Sequence, residues 1–165
     1  RDIREQKVKL IRDSADRLGI DIIRTGVRDA LVPDEGLYGR ADRVLVDAPC
    51  TGLGVIRKKP DIKWRRNEEQ VEELSGLQRK MLDVCGRYVK KGGTLVYSTC
   101  TTEPEENTEV LNAFLAGNPG FSPVDFSALL PAGIRKETAA SGFIQLYPHI
   151  DGVDGFFIAR LRRNF

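Results

Sequence analysis

Two runs of consecutive apolar residues, each running into a cysteine, constrain this 165-residue chain more than any other feature: RVLVDAPC at 43–50 and TLVYSTC at 94–100. Alternate side chains of a strand point to opposite sides, so an unbroken Val44, Leu45, Val46 suits a strand buried on both faces. The first run is therefore expected as a central parallel strand, and TLVYST as a second buried strand. Between them Val71, Leu74, Leu77, Met81, Cys85 and Tyr88 keep helical spacing from Asn67 to Lys91, with Gly92 and Gly93 as the stop. Strand, helix, strand is the repeating unit of a parallel α/β sheet.

The rest of the chain extends that pattern. Val8, Ile11, Ala15 and Leu18 mark one face of a helix over 3–18 that Gly19 would end, and DIIRT at 21–25 reads as a short strand. A loop with Pro33, Gly36 and Gly39 leads into the first apolar run. EENTEVLNAFLA predicts a helix closed by Gly117 and Pro119, and GFIQLYP and GFFIARLRR predict two strands joined by a short turn. The fold class expected is α/β, a mostly parallel sheet with a C-terminal antiparallel strand, in one domain over 1–165.

Composition narrows the function classes. Hydrophobic residues make up 41% and charged residues 30%, and no apolar stretch reaches the roughly 18 residues of a membrane span. Three unevenly spaced cysteines make no disulfide framework, which predicts a reducing, cytoplasmic setting. With no CxxC and one histidine, His149, metal binding fits poorly. A net charge of +2 means that any electrostatic footprint for nucleic acid must be local.

Ligands of open α/β sheets sit beyond the carboxyl ends of the strands, which is where Cys50 and Cys100 fall. If the two strands are neighbours, their ends lie about 5 Å apart and both sulfurs can face one pocket. Cys85, on the apolar stripe of its helix, reads instead as a small core residue. The phosphatase spacing of Cys, five residues, Arg fails, since six residues separate Cys50 from Arg57.

Taken together, DAPCTGLGVIRKKPDIKW (47–64), LVYSTCTTEPEEN (95–107) and DGFFIARL (154–161) resemble the Sun (Fmu, RsmB) branch of the NOL1/NOP2/Sun RNA 5-methylcytosine methyltransferases. The resemblance implies a Rossmann-like, class I S-adenosylmethionine-dependent fold. It also implies methylation of carbon 5 of a cytosine in RNA, with small-subunit (16S) ribosomal RNA as the substrate. Carbon 5 is a weak nucleophile until a thiolate adds to carbon 6, and its proton must later leave, so the chemistry wants two groups. By the resemblance Cys100 is the nucleophile, Cys50 assists proton removal and release, and Asp47 sits between cofactor and base. Asp2 matches the acidic residue that binds the ribose hydroxyls, and Asp29 the one that approaches the adenine amino group. The family's first strand and glycine-rich loop are expected upstream of Arg1, which makes the chain an N-terminally truncated catalytic domain.

RKKPDIKWRR leaves the same strand end as Cys50. Its Arg57, Lys58, Lys59, Lys63, Arg65 and Arg66 offer a path for phosphates, and Trp64 a stacking surface, for RNA with an unpaired or flipped cytosine. Glu105 and Glu106 suit the first turn of a helix and read as structural. Two other readings remain open from sequence: an RNA-binding methyltransferase-like domain without turnover, and a cysteine hydrolase. The sequence assigns no oligomeric state.

Overall fold

The computed structural model describes residues 1–165, which fall into two compact units, Arg1–Asp34 and Glu35–Phe165. The first unit holds one helix, α1 (Glu5–Arg17), which buries Val8 and Ala15 but leaves Ile11 and Leu18 largely exposed. Gly19, with a φ of 66°, ends it in the left-handed conformation open to glycine, and Ile20 N–H closes on the Ala15 carbonyl at 2.9 Å. The strand expected at 21–25 does not form. Extended pairing is confined to a single parallel bridge between Asp2 and Val27, while Ile22 and Ile23 are left exposed with no ladder to join.

The second unit is built on a five-stranded sheet of β1 (Ala41–Asp47), β2 (Val89–Thr99), β3 (Phe121–Pro123), β4 (Phe143–Leu146) and β5 (Phe156–Arg163), in the order β1-β2-β5-β3. β1 and β2 are parallel, and β5 runs antiparallel to β2. The far edge of β5 is shared: β3 pairs with Leu161–Arg163 and β4 with Phe156–Ala159, both antiparallel. The α/β class and the antiparallel C-terminal strand are as expected. The balance of directions is not, because only one of the four ladders is parallel and β3, unforeseen in a Pro- and Gly-containing connection, adds another antiparallel pairing.

Two helices, α3 (Glu68–Gly86) and α4 (Thr108–Gly117), close one face of the sheet. Leu82, Val110, Leu111 and Phe114 pack there against Val46, Leu95, Tyr97, Phe157, Ala159 and Leu161. A smaller cluster of Phe126, Ala139, Ile144 and Leu146 takes in Phe156 and Ile158 of β5. β1, expected as a central strand buried on both faces, pairs within residues 1–165 only with β2, and Leu45 is 68% exposed, on the side away from Val46 and α3.

The helix expected to run to Lys91 stops at Gly86. A side chain at Gly86 would press on the Phe114 ring, and the next carbonyls are taken by the approach to β1, with Gly39 N–H bonded to Arg87 and Ala41 N–H to Tyr88. Val89 thereby enters β2, and Gly92–Gly93 lies within the strand at an irregular register rather than at a helix end.

Candidate active site

The parallel register pairs Asp47 with Ser98, the last matched level of β1 and β2, and Ala48 N–H still donates to the Ser98 carbonyl at 3.0 Å. Beyond it β1 continues through Ala48 and Pro49 to Cys50, and β2 through Thr99 to Cys100. The two sulfurs, 50 residues apart in sequence, lie 3.3 Å from each other, and the Cys100 N–H donates to the Cys50 sulfur at 3.3 Å. Both residues are half-buried. Cys85 instead packs on the edge of the main core cluster.

The pair divides its protons unequally. A hydrogen bond from Cys50 lowers the Cys100 thiol from an ordinary 9.0 to about 7, with further help from Lys59, against the opposing effects of burial and of Asp47. Cys50 is pushed strongly up, first by its bond to Cys100, then by burial and by the negative charge beside it. The arrangement therefore biases Cys100 toward the thiolate and Cys50 toward the thiol.

Residues that the sequence reading did not assign to the site surround these sulfurs. Thr51 donates its N–H to Glu106 Oε1 at 2.9 Å and its hydroxyl to Oε2 at 2.5 Å, and Gln78 Nε2 donates to Pro49 O and to Glu106 Oε1, both at 2.9 Å. Thr51 and Thr101 share a hydroxyl contact at 2.9 Å. Asn107 accepts the Thr99 hydroxyl at 2.5 Å and donates to Thr101 O at 3.1 Å. The signal available in sequence was the repeated Cys-Thr at 50–51 and 100–101, followed by the acid and amide of PEEN.

The glycines of TGLG and DGVDG close the loop over the site. Gly54 N–H donates to the Cys100 carbonyl at 3.0 Å, and Gly155 N–H to the Gly54 carbonyl at 2.8 Å. A side chain on Gly54 would overlap the Gly155 carbonyl and come within 2.9 Å of the Cys100 oxygen. Asp154 ties the same loops together, bonding Arg57 Nε at 2.5 Å and Lys58 Nζ at 2.6 Å, and is held well below the usual carboxylate range by those two cations.

The basic stretch is thus split by the structure. Arg57 and Lys58 are engaged by Asp154, and Arg66 donates to the Thr51 carbonyl at 2.9 Å. The remainder surrounds the four-residue helix α2 (Ile62–Arg65), where Trp64 is 81% exposed, Lys63 Nζ lies 5.1 Å from its ring and Arg65 meets Asp61 at 4.0 Å. Lys59, just before it, is exposed.

Of the three aspartates, Asp47 is exposed and accepts the Ser98 hydroxyl at 3.1 Å. Asp2 and Asp29 belong to the first unit, at the same end of its bridged segments, and each uses Oδ1 to accept a local backbone N–H, from Arg4 and Leu31 respectively. Their second oxygens are acceptors, one with Lys7 at 3.7 Å, which suits the hydroxyl and amino donors of a nucleoside. No group of three or more His, Cys, Asp or Glu is placed to hold a metal ion, and no helix is long and apolar enough to cross a membrane.

Comparison with known proteins matches residues 1–162 to the family described as 16S rRNA methyltransferase RsmB/F. The chain is 44% identical over 165 residues to "Probable ribosomal RNA small subunit methyltransferase B" of Bacillus subtilis, covering 99% of this chain and 37% of that protein. It is 39% identical to ribosomal RNA small subunit methyltransferase B of Pectobacterium carotovorum, covering 99% of this chain and 36% of the relative. The chain thus spans little more than a third of the length of these curated relatives. Among solved structures it resembles PH0851, with a TM-score of 0.87, 36% identity and coverage of 98% of this chain and 35% of the other. It also resembles NSun6 from Pyrococcus horikoshii with SFG, with a TM-score of 0.81, 30% identity and coverage of 98% and 40%.

Proposed function

This chain belongs to the 16S rRNA methyltransferase RsmB/F family, and from that premise we propose that residues 1–165 are the catalytic domain of an enzyme that methylates carbon 5 of a cytosine in small-subunit ribosomal RNA, in the cytoplasm. The observation that carries the reading is the pair of sulfurs 3.3 Å apart at the ends of neighbouring parallel strands, one biased to the thiolate and the other to the thiol. S-adenosylmethionine, when bound, supplies the electrophilic methyl group that carbon 5 takes. Asp2 and Asp29 are proposed to receive the ribose hydroxyls and the adenine amino group, and Asp47 to lie between cofactor and base.

In this proposal the Cys100 thiolate adds to carbon 6, and the electron pair of the 5,6 double bond makes carbon 5 nucleophilic. Once Cys100 is bonded to carbon, the charge that opposed ionisation of Cys50 is gone, while the Cys50 sulfur keeps the N–H of Cys100 as a donor. Cys50 then releases its proton to water and, as thiolate, accepts the proton from carbon 5. The freed electron pair restores the double bond and expels Cys100 as thiolate. The same neighbour that prepares the nucleophile thus becomes the base.

Trp64, Lys59, Lys63 and Arg65 are proposed as the RNA-facing set, with Arg57, Lys58 and Arg66 holding the loop that presents them. The test uses the intact protein, ribosomal RNA and S-adenosylmethionine. Cys50→Ala is expected to accumulate a denaturant-resistant protein–RNA adduct that disappears when Cys100 is also replaced. Methylation persisting in Cys100→Ala would sink the covalent assignment.

A further inference from the structure

Glu106 and Asn107 are consecutive, and each is sealed from solvent at 0% and 1% exposure. A buried carboxylate stabilises a fold less than a well-packed apolar side chain does unless its bonds are specific, and the bonds of this one go to the two residues flanking Cys50. Thr51 donates to it twice, and Gln78 bridges it to the carbonyl of Pro49. Asn107 grips the two residues flanking Cys100 in the same way, accepting from Thr99 and donating to Thr101. The hydroxyl contact between Thr51 and Thr101 joins the two braces, and Gln145 Oε1, at 2.7 Å from Asn107 Nδ2, anchors the second to β4.

From this geometry we infer that Glu106 and Asn107 are positioning residues with separate duties, Glu106 setting Cys50 for the release step and Asn107 setting Cys100 for addition to the base. The inference rests on the two-thiol reading above. A displacement on the order of 1 Å of a reacting group costs roughly 100-fold in rate, so each brace weighs most on the step of the cysteine it holds, and the Glu106 brace bears on addition only through the Cys50 donor that favours the Cys100 thiolate. A role in stability alone would slow both steps together.

The experiment follows adduct formation and decay in the intact protein with RNA and S-adenosylmethionine. Glu106→Gln is expected to accumulate adduct, as Cys50→Ala does, through release slowed roughly 100-fold. Asn107→Leu is expected to lose adduct formation by a similar factor, also in a Cys50→Ala background. Thr99→Val, which deletes one hydroxyl from the Asn107 brace, and Thr51→Val, which deletes one from the Glu106 brace together with the link to Thr101, do so at nearly constant volume, are the milder pair and should divide in the same directions. Variants of the two braces that behave alike would overturn the inference. If Cys50→Ala itself traps nothing, the two-thiol reading fails, and the braces are then judged without RNA by alkylation of Cys100 against pH. Glu106→Gln should move that midpoint upward by displacing the Cys50 donor, and an unmoved midpoint overturns the placement of Cys50 by Glu106.

Discussion

With Cys50 donating to its sulfur, Cys100 keeps its thiolate down to about pH 7 instead of 9.0. The alkylation rate of Cys100 should therefore rise through about pH 7 as the thiolate forms. In Cys50→Ala the lowering donor is gone while burial and Asp47 still oppose ionisation, so the curve should move toward higher pH. A curve that stays in place would mean that Cys50 does not donate. Gly54 is the other position at which one atom decides the outcome. Gly54→Ala forces a methyl group against the Gly155 and Cys100 carbonyls and should destabilise the protein by about 1–3 kcal/mol, measured by chemical denaturation.

Among the elements, α2 tests how charge and exposure divide the basic stretch. Trp64→Ala should leave thermal stability unchanged, because the ring is 81% exposed, yet weaken single-stranded RNA binding by about 1–3 kcal/mol in a titration. Replacing Arg57 instead should loosen the loop held by Asp154 and show first as lost stability. The sequence alone treated the six cations as equivalent, because the acid that separates them lies about a hundred residues away in DGVDG. What sequence does reveal well is local: the strand runs, the Gly19 stop, the helix beginning at Asn67, and the two cysteines at strand ends. It failed where a distant partner decides. Tyr88 continues a helical stripe, but its carbonyl is taken by the Ala41 N–H at the start of β1 and the next residue, Val89, opens β2, and Leu45 looks buried until the side that α3 covers is known.

For the molecule as a whole, the net charge of +2 says little, and the candidate site is assembled from segments far apart in sequence: the loops after β1 and β2, the residues before α4, and the turn before β5. No short stretch carries the candidate site, which explains why the contacts of Glu106, Asn107 and Asp154 were hidden while the cysteines were legible from their neighbours. The parallel ladder of β1 and β2 has a kinetic corollary. In an unfolded chain Cys100 is an ordinary thiol, because its donor is 50 residues away and loop closure must come first. Near neutral pH the native protein should therefore be labelled at Cys100 faster than its unfolded form, the reverse of the usual protection by folding. Loss of reactivity would then serve as a clock for the opening of the sheet, and its return would time the docking of the two strands.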